Sequence, residues 1–452
     1  MATKYAVFWG CQIPSRLPFF EKSIRLVLEQ IGIEIIDLPG FTCCPEKTLV
    51  KSYAEDAWLL TAARNLAVAE ASGLPLLTPC NGCYSTLKTV LGKIKDSVDL
   101  KENVSRRLRE VNLDFKGSIV VKHLVEVLHD DVGAAKIGMQ VKYPLTGMRI
   151  AVHYGCHLLR PSARLRFDDP FHPEKLDTLV RALGAESCSY DTKMLCCGSG
   201  LGFAGAQEEA TALLRKKLLD LRGRADALTV VCPACFIQYD QRQFILQRQG
   251  EQLGIPVFGY QELLGLALGL SADALGLDEH RVKTDGFVQT WRERAEIIGR
   301  IKEHLDLAAL KRCYGCGACL EDCPVAQLDG SFRPREIIGD LLKGNLADLF
   351  QNQAIWQCLE CHTCSELCPQ KFGMERVFTV LKGLAAEQGC APSPIQGGIK
   401  TFLKTARLGV VDEKARKKFG LEALPPGGEA ELRKLLGLTG QEGRGGSSHE
   451  RS

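Results

Sequence analysis

Ten cysteines in the first two-thirds of the chain fall into two sets with the same order. Each set has a lone cysteine, then an adjacent pair, then a C-x-x-C unit. The two gaps are 31 and 35 residues in the first set, and 39 and 34 in the second. The sets are Cys11, Cys43, Cys44, Cys80 and Cys83, then Cys156, Cys196, Cys197, Cys232 and Cys235. The repeated order predicts a duplicated domain in which each copy holds a metal cofactor.

Five thiols in a set are one more than a simple cubane uses. Thiolates are soft ligands that favour zinc, Cu(I) or iron–sulfur clusters. The adjacent cysteines of a pair such as Cys43-Cys44 cannot easily both face one small cubane. An irregular cluster or a bridging thiolate would use them better. A zinc site or an ordinary cubane with one spectator cysteine is the alternative.

A second cysteine pattern lies further along the chain. The run C-x2-C-x2-C-x3-C-P occurs twice, at 313–324 and at 358–369, and it is typical of bacterial two-cluster ferredoxins. In that arrangement the fourth cysteine of each run binds the other cluster. The predicted ligands are Cys313, Cys316, Cys319 and Cys368 for one [4Fe-4S] cubane, and Cys358, Cys361, Cys364 and Cys323 for the other. Zinc also binds C-x-x-C pairs, but two complete copies with a trailing proline favour the clusters.

Composition excludes several classes of protein. The 452 residues include 20 cysteines, and the formal net charge is +3, which gives no electrostatic support for binding nucleic acid. No stretch reaches the roughly 18 apolar residues of a membrane span. The chain begins without a charged-then-apolar leader, so we expect a cytoplasmic protein with reduced thiols, in which clustered cysteines bind metal rather than form disulfides.

Short apolar runs that end in glycine precede both lone cysteines. Residues 5–9 and 149–154 are read as buried strands, and ligands of open α/β sheets bind beyond the carboxyl ends of such strands. Helical patterns over 18–31, 53–72, 174–183 and 207–222 alternate with further strands. This order predicts two pseudo-symmetric Rossmann-like lobes, at 1–145 and 146–282.

The composition changes near residue 271. We read 271–290 as a linker, and helices without intervening strands follow at 291–310, 334–349 and 374–388. The predicted fold is therefore α/β followed by α: a mainly helical, ferredoxin-like domain holding two [4Fe-4S] cubanes at 283–405. The C-terminal extension at 406–452 ends in a Gly-, Ser- and charge-rich tail that we expect to be disordered.

The chain resembles heterodisulfide reductases. The cysteine sets are similar to the CCG domains of the family's B-type component, including Cys196-Cys197-Gly198 and the segment His153 to Pro161. The first set has Pro45 in place of the glycine. From about residue 291 the chain resembles the C-type component, through Arg333-Pro334-Arg335 and the run from Trp356 to Cys364. The resemblance covers nearly the whole chain and indicates a B–C fusion.

The resemblance implies a specific function. Each five-cysteine set would hold one noncubane [4Fe-4S] cluster, and a disulfide placed between the two clusters would be split. Electrons would arrive through the two cubanes from a flavin-containing A-type subunit. That flavoprotein performs electron bifurcation and is often joined to a hydrogenase or formate dehydrogenase. The protein would then be part of a hetero-oligomer, acting on a small-molecule or carrier-bound disulfide.

Four side chains close to the lone cysteines are secondary candidates. His153 and His157 flank Cys156 and could protonate a departing thiolate, since imidazole titrates near neutrality. The alternative is a packing role or a hydrogen bond to sulfur. Arg16 and Arg160 could hold an anionic part of the substrate or form ordinary ion pairs.

Two other functions remain open from the sequence. The clusters could only pass electrons between a flavoprotein and another redox partner. The chain could also belong to a CCG-type complex for sulfur-carrier oxidation, organic-acid oxidation or fumarate reduction. In the last two groups the ferredoxin part usually precedes the CCG part, and the order here is the reverse. Two complete five-cysteine sets favour disulfide chemistry.

Overall fold

The computed structural model describes residues 3–45, 50–307, 309–310, 318–344, 346–369, 373–409, 411–425 and 427–437. The chain folds as two compact units, Met1–Glu303 and His304–Ser452. The tail from residue 440, which we expected to be disordered, lies outside the described residues. None of the helices formed by the described residues combines the length and the apolar character needed to cross a bilayer.

The first unit contains two four-stranded parallel sheets with the same relative strand order. In the first sheet the order is β2-β1-β3-β4, and in the second it is β6-β5-β7-β8. The strands are β1 (Thr3–Val7), β2 (Ile33–Asp37), β3 (Leu76–Thr78), β4 (Val121–His123), β5 (Arg149–His153), β6 (Glu186–Cys188), β7 (Ala227–Val230) and β8 (Val257–Gly259). The parallel α/β character predicted for this part is confirmed.

Helices connect these parallel strands, because a parallel crossover needs a long connection. The helices of the first unit are α1 (Gln12–Arg16), α2 (Pro18–Gln30), α3 (Glu55–Ala71), α4 (Asn81–Asp96), α5 (Val98–Arg109), α6 (Leu124–Glu126), α7 (Ala134–Gln140), α8 (Cys156–Leu159), α9 (Ser162–Leu165), α10 (Lys175–Ala182), α11 (Ser199–Phe203), α12 (Gln207–Leu221), α13 (Pro233–Ile237), α14 (Gln243–Arg248), α15 (Tyr260–Leu268), α16 (Ala272–Leu275) and α17 (Asp285–His304). Two π-helical turns, Val127–Gly133 and Gln238–Arg242, and a 3-10 turn at Leu277–Glu279 complete it.

The core explains the strand sequences. In β1 and β5, Ala6, Val7, Ala151 and Val152 are fully or almost fully buried. Strands that are covered on both faces read as continuous apolar runs rather than as alternating patterns. These two strands are visible in the sequence for that reason, although β1 begins and ends two residues earlier than the predicted 5–9.

The prediction of a linker at 271–290 is wrong, because α16 and the 3-10 turn at Leu277–Glu279 occupy its first half and α17 begins within its second half. Helix α17 begins at Asp285 and buries Phe287, Trp291 and Ala295. These residues recur every four positions, so one stripe of the helix packs inward while its many charged residues face solvent. The many charged residues of this segment favoured the interpretation as a linker, although its apolar residues have a helical spacing.

The second unit has helices and no strands among its described residues. The helices are α18 (Ala318–Glu321), α19 (Pro324–Leu328), α20 (Pro334–Lys343), α21 (Leu346–Gln351), α22 (Thr363–Glu366), α23 (Met374–Glu387), α24 (Ser393–Thr405), α25 (Glu413–Lys418) and α26 (Glu429–Leu435), with a 3-10 turn at Gln353–Gln357. The predicted helix 334–349 is divided after Lys343, where Gly344 adopts φ +77°. That left-handed conformation ends a helix at little cost only in glycine.

Candidate functional site

Two cysteines of each set follow the central strands of their sheet. Cys11 lies beyond the end of β1, and Cys80, beyond β3, is the residue preceding α4. In the second sheet, Cys156 and Cys232 hold the corresponding places beyond β5 and β7. The carboxyl ends of adjacent parallel strands meet at one edge of the sheet, which is where the sequence predicts a ligand site.

All ten predicted cysteines line one cavity of about 240 Å³. The remaining lining comes from Gln12, Pro45, Val50, Asn81, Gly82, His157, Ser199, Gly200, Phe203 and Ala234. The structure therefore brings the two five-cysteine sets, which are far apart in sequence, to a single place.

The thiols make one continuous series of contacts. In the first set the order of neighbouring thiols is Cys11, Cys43, Cys44, Cys83 and Cys80. In the second it is Cys156, Cys196, Cys197, Cys235 and Cys232. Each set thus runs from its lone cysteine, through its pair, to its C-x-x-C. The two series meet where Cys80 lies next to Cys232, and these two cysteines are equivalent residues of the two lobes.

Two distances in this series show how close the sulfurs lie. The Sγ atoms of Cys156 and Cys196 are 3.7 Å apart, and those of Cys197 and Cys235 are 3.4 Å apart. Every cysteine among the described residues is a free thiol. A disulfide has an S–S distance near 2.0 Å, so the geometry is that of converging metal ligands.

Glycines make room for the sulfurs. A Cβ added at Gly10 would lie 2.6 Å from the Sγ of Cys83, and one at Gly155 would lie 2.5 Å from Nδ2 of Asn81. Both glycines also have positive φ, +70° and +78°. The crowding of thiols and the space kept by these glycines fit a group that takes several thiolates at once.

Certain thiols are placed to carry negative charge. Cys156 and Cys197 both hydrogen-bond to Cys196 and lower the pKa of its thiol to about 2. Cys235 and Cys80 likewise hold the pKa of Cys232 well below its ordinary value. The backbone N–H of Gly198 donates to the Cys196 sulfur at 3.4 Å. Metal binding requires deprotonated cysteines, and these contacts favour that form.

The two candidate histidines occupy different environments. His157 lines the cavity. His153 is buried, and burial lowers its pKa to about 3, so its ring is neutral at pH 7. One ring nitrogen of His153 and the Sγ atoms of Cys197 and Cys235 lie within 4.8 Å of one another.

The two candidate arginines bind protein groups. Arg16 donates to Oε1 of Gln241 at 3.2 Å. Arg160 donates to the carbonyl of Pro170 through Nε (3.3 Å) and Nη2 (3.2 Å), and its guanidinium lies 5.6 Å from the Phe171 ring centroid. These contacts favour the interpretation that the arginines have structural roles.

Three buried side chains that were not predicted from the sequence hold the cysteine loops. Asn81 Nδ2 donates to the carbonyl of Tyr154 at 2.7 Å, and Asn65 Nδ2 donates to the carbonyl of Cys43 at 3.0 Å. Lys217 donates to the carbonyls of Thr192 and Lys193, before the second cysteine pair. Only Asn81 had a local signal, since it lies within a C-x-x-C unit.

The second unit gathers part of the ferredoxin pattern. Cys323, Cys358, Cys361 and Cys364, the ligands predicted for one cubane, line a common cavity, and Cys319 lies there as well. Cys313 and Cys316 lie outside the described residues. Lys382 of α23 donates to the carbonyl of Cys358 at 2.8 Å and ties this loop to the helix. Cys188 and Cys390 line neither cavity.

The fold and the thiol-lined cavities fit a protein that binds iron–sulfur clusters. Comparison with known proteins agrees. Residues 5–88 and 150–240 match the family described as cysteine-rich domain (CCG), and residues 309–372 match the 4Fe-4S dicluster domain.

Individual relatives match the N-terminal and the C-terminal parts of the chain separately. The chain is 36% identical over 288 residues to the B-type component of the Ferredoxin/F(420)H(2)-dependent CoB-CoM heterodisulfide reductase of Methanosarcina acetivorans, covering 63% of this chain and 96% of the relative. The C-terminal part matches a protein of Archaeoglobus profundus that is similar to the C-type component of heterodisulfide reductase, 29% identical over 33% of this chain and 84% of that protein. The 8-methylmenaquinol:fumarate reductase membrane anchor subunit of Wolinella succinogenes is 31% identical, over 62% of this chain and 97% of that protein.

The chain belongs to the heterodisulfide reductase family and joins a B-type part to a C-type part. The resemblance found in the sequence is thereby confirmed, as are [4Fe-4S] binding and a role in iron–sulfur electron transfer.

Proposed function

We propose that this chain reduces a disulfide inside the ten-cysteine cavity, with electrons that enter through the C-type part. The observation that carries the proposal is the joining of the two sulfur series at Cys80 and Cys232. Cleavage of one disulfide consumes two electrons and two protons and yields two thiols. Two equivalent thiolate sets that share one cavity offer one site to each sulfur of the substrate.

The proposed cofactors are four clusters. Each five-cysteine set would hold a noncubane [4Fe-4S] cluster, and the two ferredoxin runs would hold two cubanes on the ligands predicted from their spacing. Such clusters supply single electrons and iron that binds thiolate sulfur. The protein's own contribution is to hold the thiols together, to leave space at Gly10 and Gly155, and to fasten the cysteine loops through Asn65, Asn81 and Lys217.

The two histidines have different proposed roles. His157 lines the cavity and is the proposed proton donor to a leaving thiolate. His153 is neutral at pH 7 because burial lowers its pKa to about 3, and its proposed role is an N–H hydrogen bond to a sulfur of the second set.

The proposed architecture follows the predicted boundaries. Pseudo-symmetric Rossmann-like lobes at 1–145 and 146–282 are supported by the equal strand orders. A helical domain at 283–405 and an extension at 406–452 would follow. The relatives are components of heterodisulfide reductases, which supports a hetero-oligomer with a flavin-containing A-type subunit, and we extend this to a hydrogenase or formate dehydrogenase module.

A second function is favoured by one comparison. The fumarate reductase anchor protein of Wolinella succinogenes matches the B-type part. The chain would then pass electrons within another CCG-type complex without cleaving a disulfide.

Iron content and thiol release separate these functions. In anaerobically purified full-length protein we expect about 16 iron atoms per chain, four for each cluster. A reduced viologen dye should drive release of two thiols per disulfide from a panel of small and carrier-bound disulfides. About 8 iron atoms would contradict the noncubane clusters. Full iron without thiol release would favour the electron-transfer function.

A further inference from the structure

Equivalent positions in the two lobes carry a neutral and a cationic side chain. Asn65 lies ten residues after Glu55, the first residue of α3, and Lys217 lies ten residues after Gln207, the first residue of α12. Both side chains are fully buried. Asn65 donates to the carbonyl of the first cysteine of its adjacent pair, and Lys217 donates to two carbonyls shortly before the pair of its own lobe. Equivalent helix positions thus hold the backbone near each adjacent pair, one with a neutral amide and the other with an amine.

The surroundings of Lys217 suit an ammonium group. Its Nζ donates to the carbonyls of Thr192 and Lys193, the latter at 3.2 Å, and lies 4.9 Å from the ring centroid of Tyr190. Two carbonyls and an aromatic face are good partners for the three N–H groups of a protonated lysine. Burial lowers the pKa of Lys217 to about 7, and negative charge on Cys235 and Cys197 opposes that shift. More charge on the second set therefore keeps the lysine protonated.

Two further differences favour negative charge on the second set. The N–H of Gly198 donates to the Cys196 sulfur at 3.4 Å, whereas the equivalent residue of the first lobe is Pro45, which has no N–H. Three residues before the lone cysteine, the second lobe has His153 and the first has Phe8. Both nitrogens of His153 are buried without a hydrogen-bond partner, close to Cys197 and Cys235.

We propose that Lys217 is a positioning residue that gives the group bound by the second cysteine set a higher reduction potential than the group bound by the first. This inference rests on the proposed function, because it requires a redox-active cluster on each set. Cluster potentials depend on local charge and on hydrogen bonds to sulfur. An added electron is negative charge, so a nearby buried cation and N–H donors stabilise the reduced state. The second set is then reduced first.

Solvent acts in the opposite direction. Cys11 and Cys43 are exposed, whereas Cys156 and Cys196 are half-buried, and water also stabilises a reduced cluster. A protonated lysine inside the protein is screened far less than a charge at the surface. We therefore expect Lys217 to outweigh the greater exposure of Cys11 and Cys43.

The test is a redox titration of the anaerobically purified full-length chain, followed by electron paramagnetic resonance. The variants are Lys217→Gln, which is neutral, Lys217→Arg, which keeps the charge, and Lys216→Gln, an exposed neighbour on the same helix. Cys44→Ser and Cys197→Ser assign each signal to a set. In the wild type, the signal altered by Cys197→Ser should have the higher midpoint potential.

Lys217→Gln should reduce the ratio of reduced to oxidised second centre about tenfold at the wild-type midpoint potential, which is about 59 mV for one electron. Lys216→Gln should leave it unchanged, and Lys217→Arg should stay near the wild type. Equal or reversed potentials in the wild type overturn the inference, even if Lys217→Gln does not retain iron. An unchanged midpoint potential of the second centre in Lys217→Gln also overturns the inference. In that case, full iron content and disulfide reduction would still support the proposed function. About 8 iron atoms in the wild type would instead contradict both the proposed function and the inference that rests on it.

Discussion

The side-chain amide of Asn81 donates to the backbone carbonyl of Tyr154 at 2.7 Å. This hydrogen bond joins the C-x-x-C of the first lobe to the residue that precedes Gly155 and Cys156 in the second. It is buried and links two of the loops whose cysteines line the cavity.

We expect Asn81→Asp to disrupt this junction. A carboxylate has no N–H to donate, and it would place negative charge opposite a buried carbonyl. An unsatisfied buried group costs about 1–3 kcal/mol, and more when it is charged. The apparent melting temperature should fall by several degrees, and cavity iron should be lost. Asn103→Asp, at an exposed site, is the matched control. Unchanged melting and iron content would show that the junction does not hold the lobes.

Gly155 provides a steric test of the same junction. In Gly155→Ala the new Cβ would lie 2.5 Å from Nδ2 of Asn81, so Asn81 or the Cys156 loop must move. Gly133→Ala is the control, because its φ of +91° and ψ of +133° are close to the +78° and +150° of Gly155 and no heavy atom lies within 4 Å of its Cβ. Both variants should lose about 1 kcal/mol from backbone strain. Only Gly155→Ala should also lose iron, as measured by metal analysis of the purified protein.

Cys197 tests the second cysteine set. Cys197→Ser should remove one cluster, so iron should fall from about 16 to about 12 atoms per chain, and disulfide reduction should be lost. The signals of the ferredoxin cubanes should persist. Cys188→Ser is the control, since Cys188 is also a buried free thiol but lies outside the cavity lining. Retained turnover in Cys197→Ser would place the chemistry elsewhere.

The local chemistry could be predicted from the sequence, but the junction between the lobes could not. The spacing of Cys232 and Cys235 predicts ligands, and the apolar run before Cys156 predicts the strand that the structure shows at Arg149–His153. By contrast, the contacts of Asn81 with Tyr154 and of Cys80 with Cys232 join residues that are far apart in the chain, 73 positions in the first case, and no local pattern encodes such pairs.

Lys217 illustrates the same limit within one helix. It stands in the sequence Arg215-Lys216-Lys217, which is typical of a solvated helix face. Only the packing of α12 against the cysteine segment shows that Lys217 is buried while Lys216 is exposed. The position of a charged side chain around a short helix depends on neighbours that the local pattern does not specify.

Cys323 tests the predicted exchange of ligands between the two ferredoxin runs. It belongs to the first run but lines a cavity with Cys358, Cys361 and Cys364 of the second. Cys323→Ser should remove one cubane, or about four iron atoms, and slow electron entry without altering the signals of the ten-cysteine cavity. Cys390→Ser, outside both runs, should retain all the iron. Loss of the cavity signals instead would contradict the separate assignment of the two sites.

Asp37 gives a prediction with a defined pH dependence. Its Oδ1 accepts from Trp9 Nε1 and from Arg25 Nη2, both at 2.8 Å, and so holds the residue that precedes Gly10 and Cys11. Arg25 lowers the pKa of the Asp37 carboxyl. The native state therefore favours the carboxylate, and the stabilisation is complete above the unfolded pKa of about 3.9 and is lost as pH falls through the lower folded pKa.

We accordingly expect Asp37→Asn to lower stability at pH 7 by only about 0.5 kcal/mol, because the pair is partly exposed and screened by solvent. The difference from the wild type should shrink as the pH is lowered below about 3.9. Melting of the iron-free chain as a function of pH measures this difference without interference from acid loss of clusters. Asp114→Asn, at a loop position outside this hydrogen-bonded group, should show no such trend. If the stability difference between the wild type and Asp37→Asn increased as the pH was lowered, the Asp37 carboxylate would not stabilise the fold.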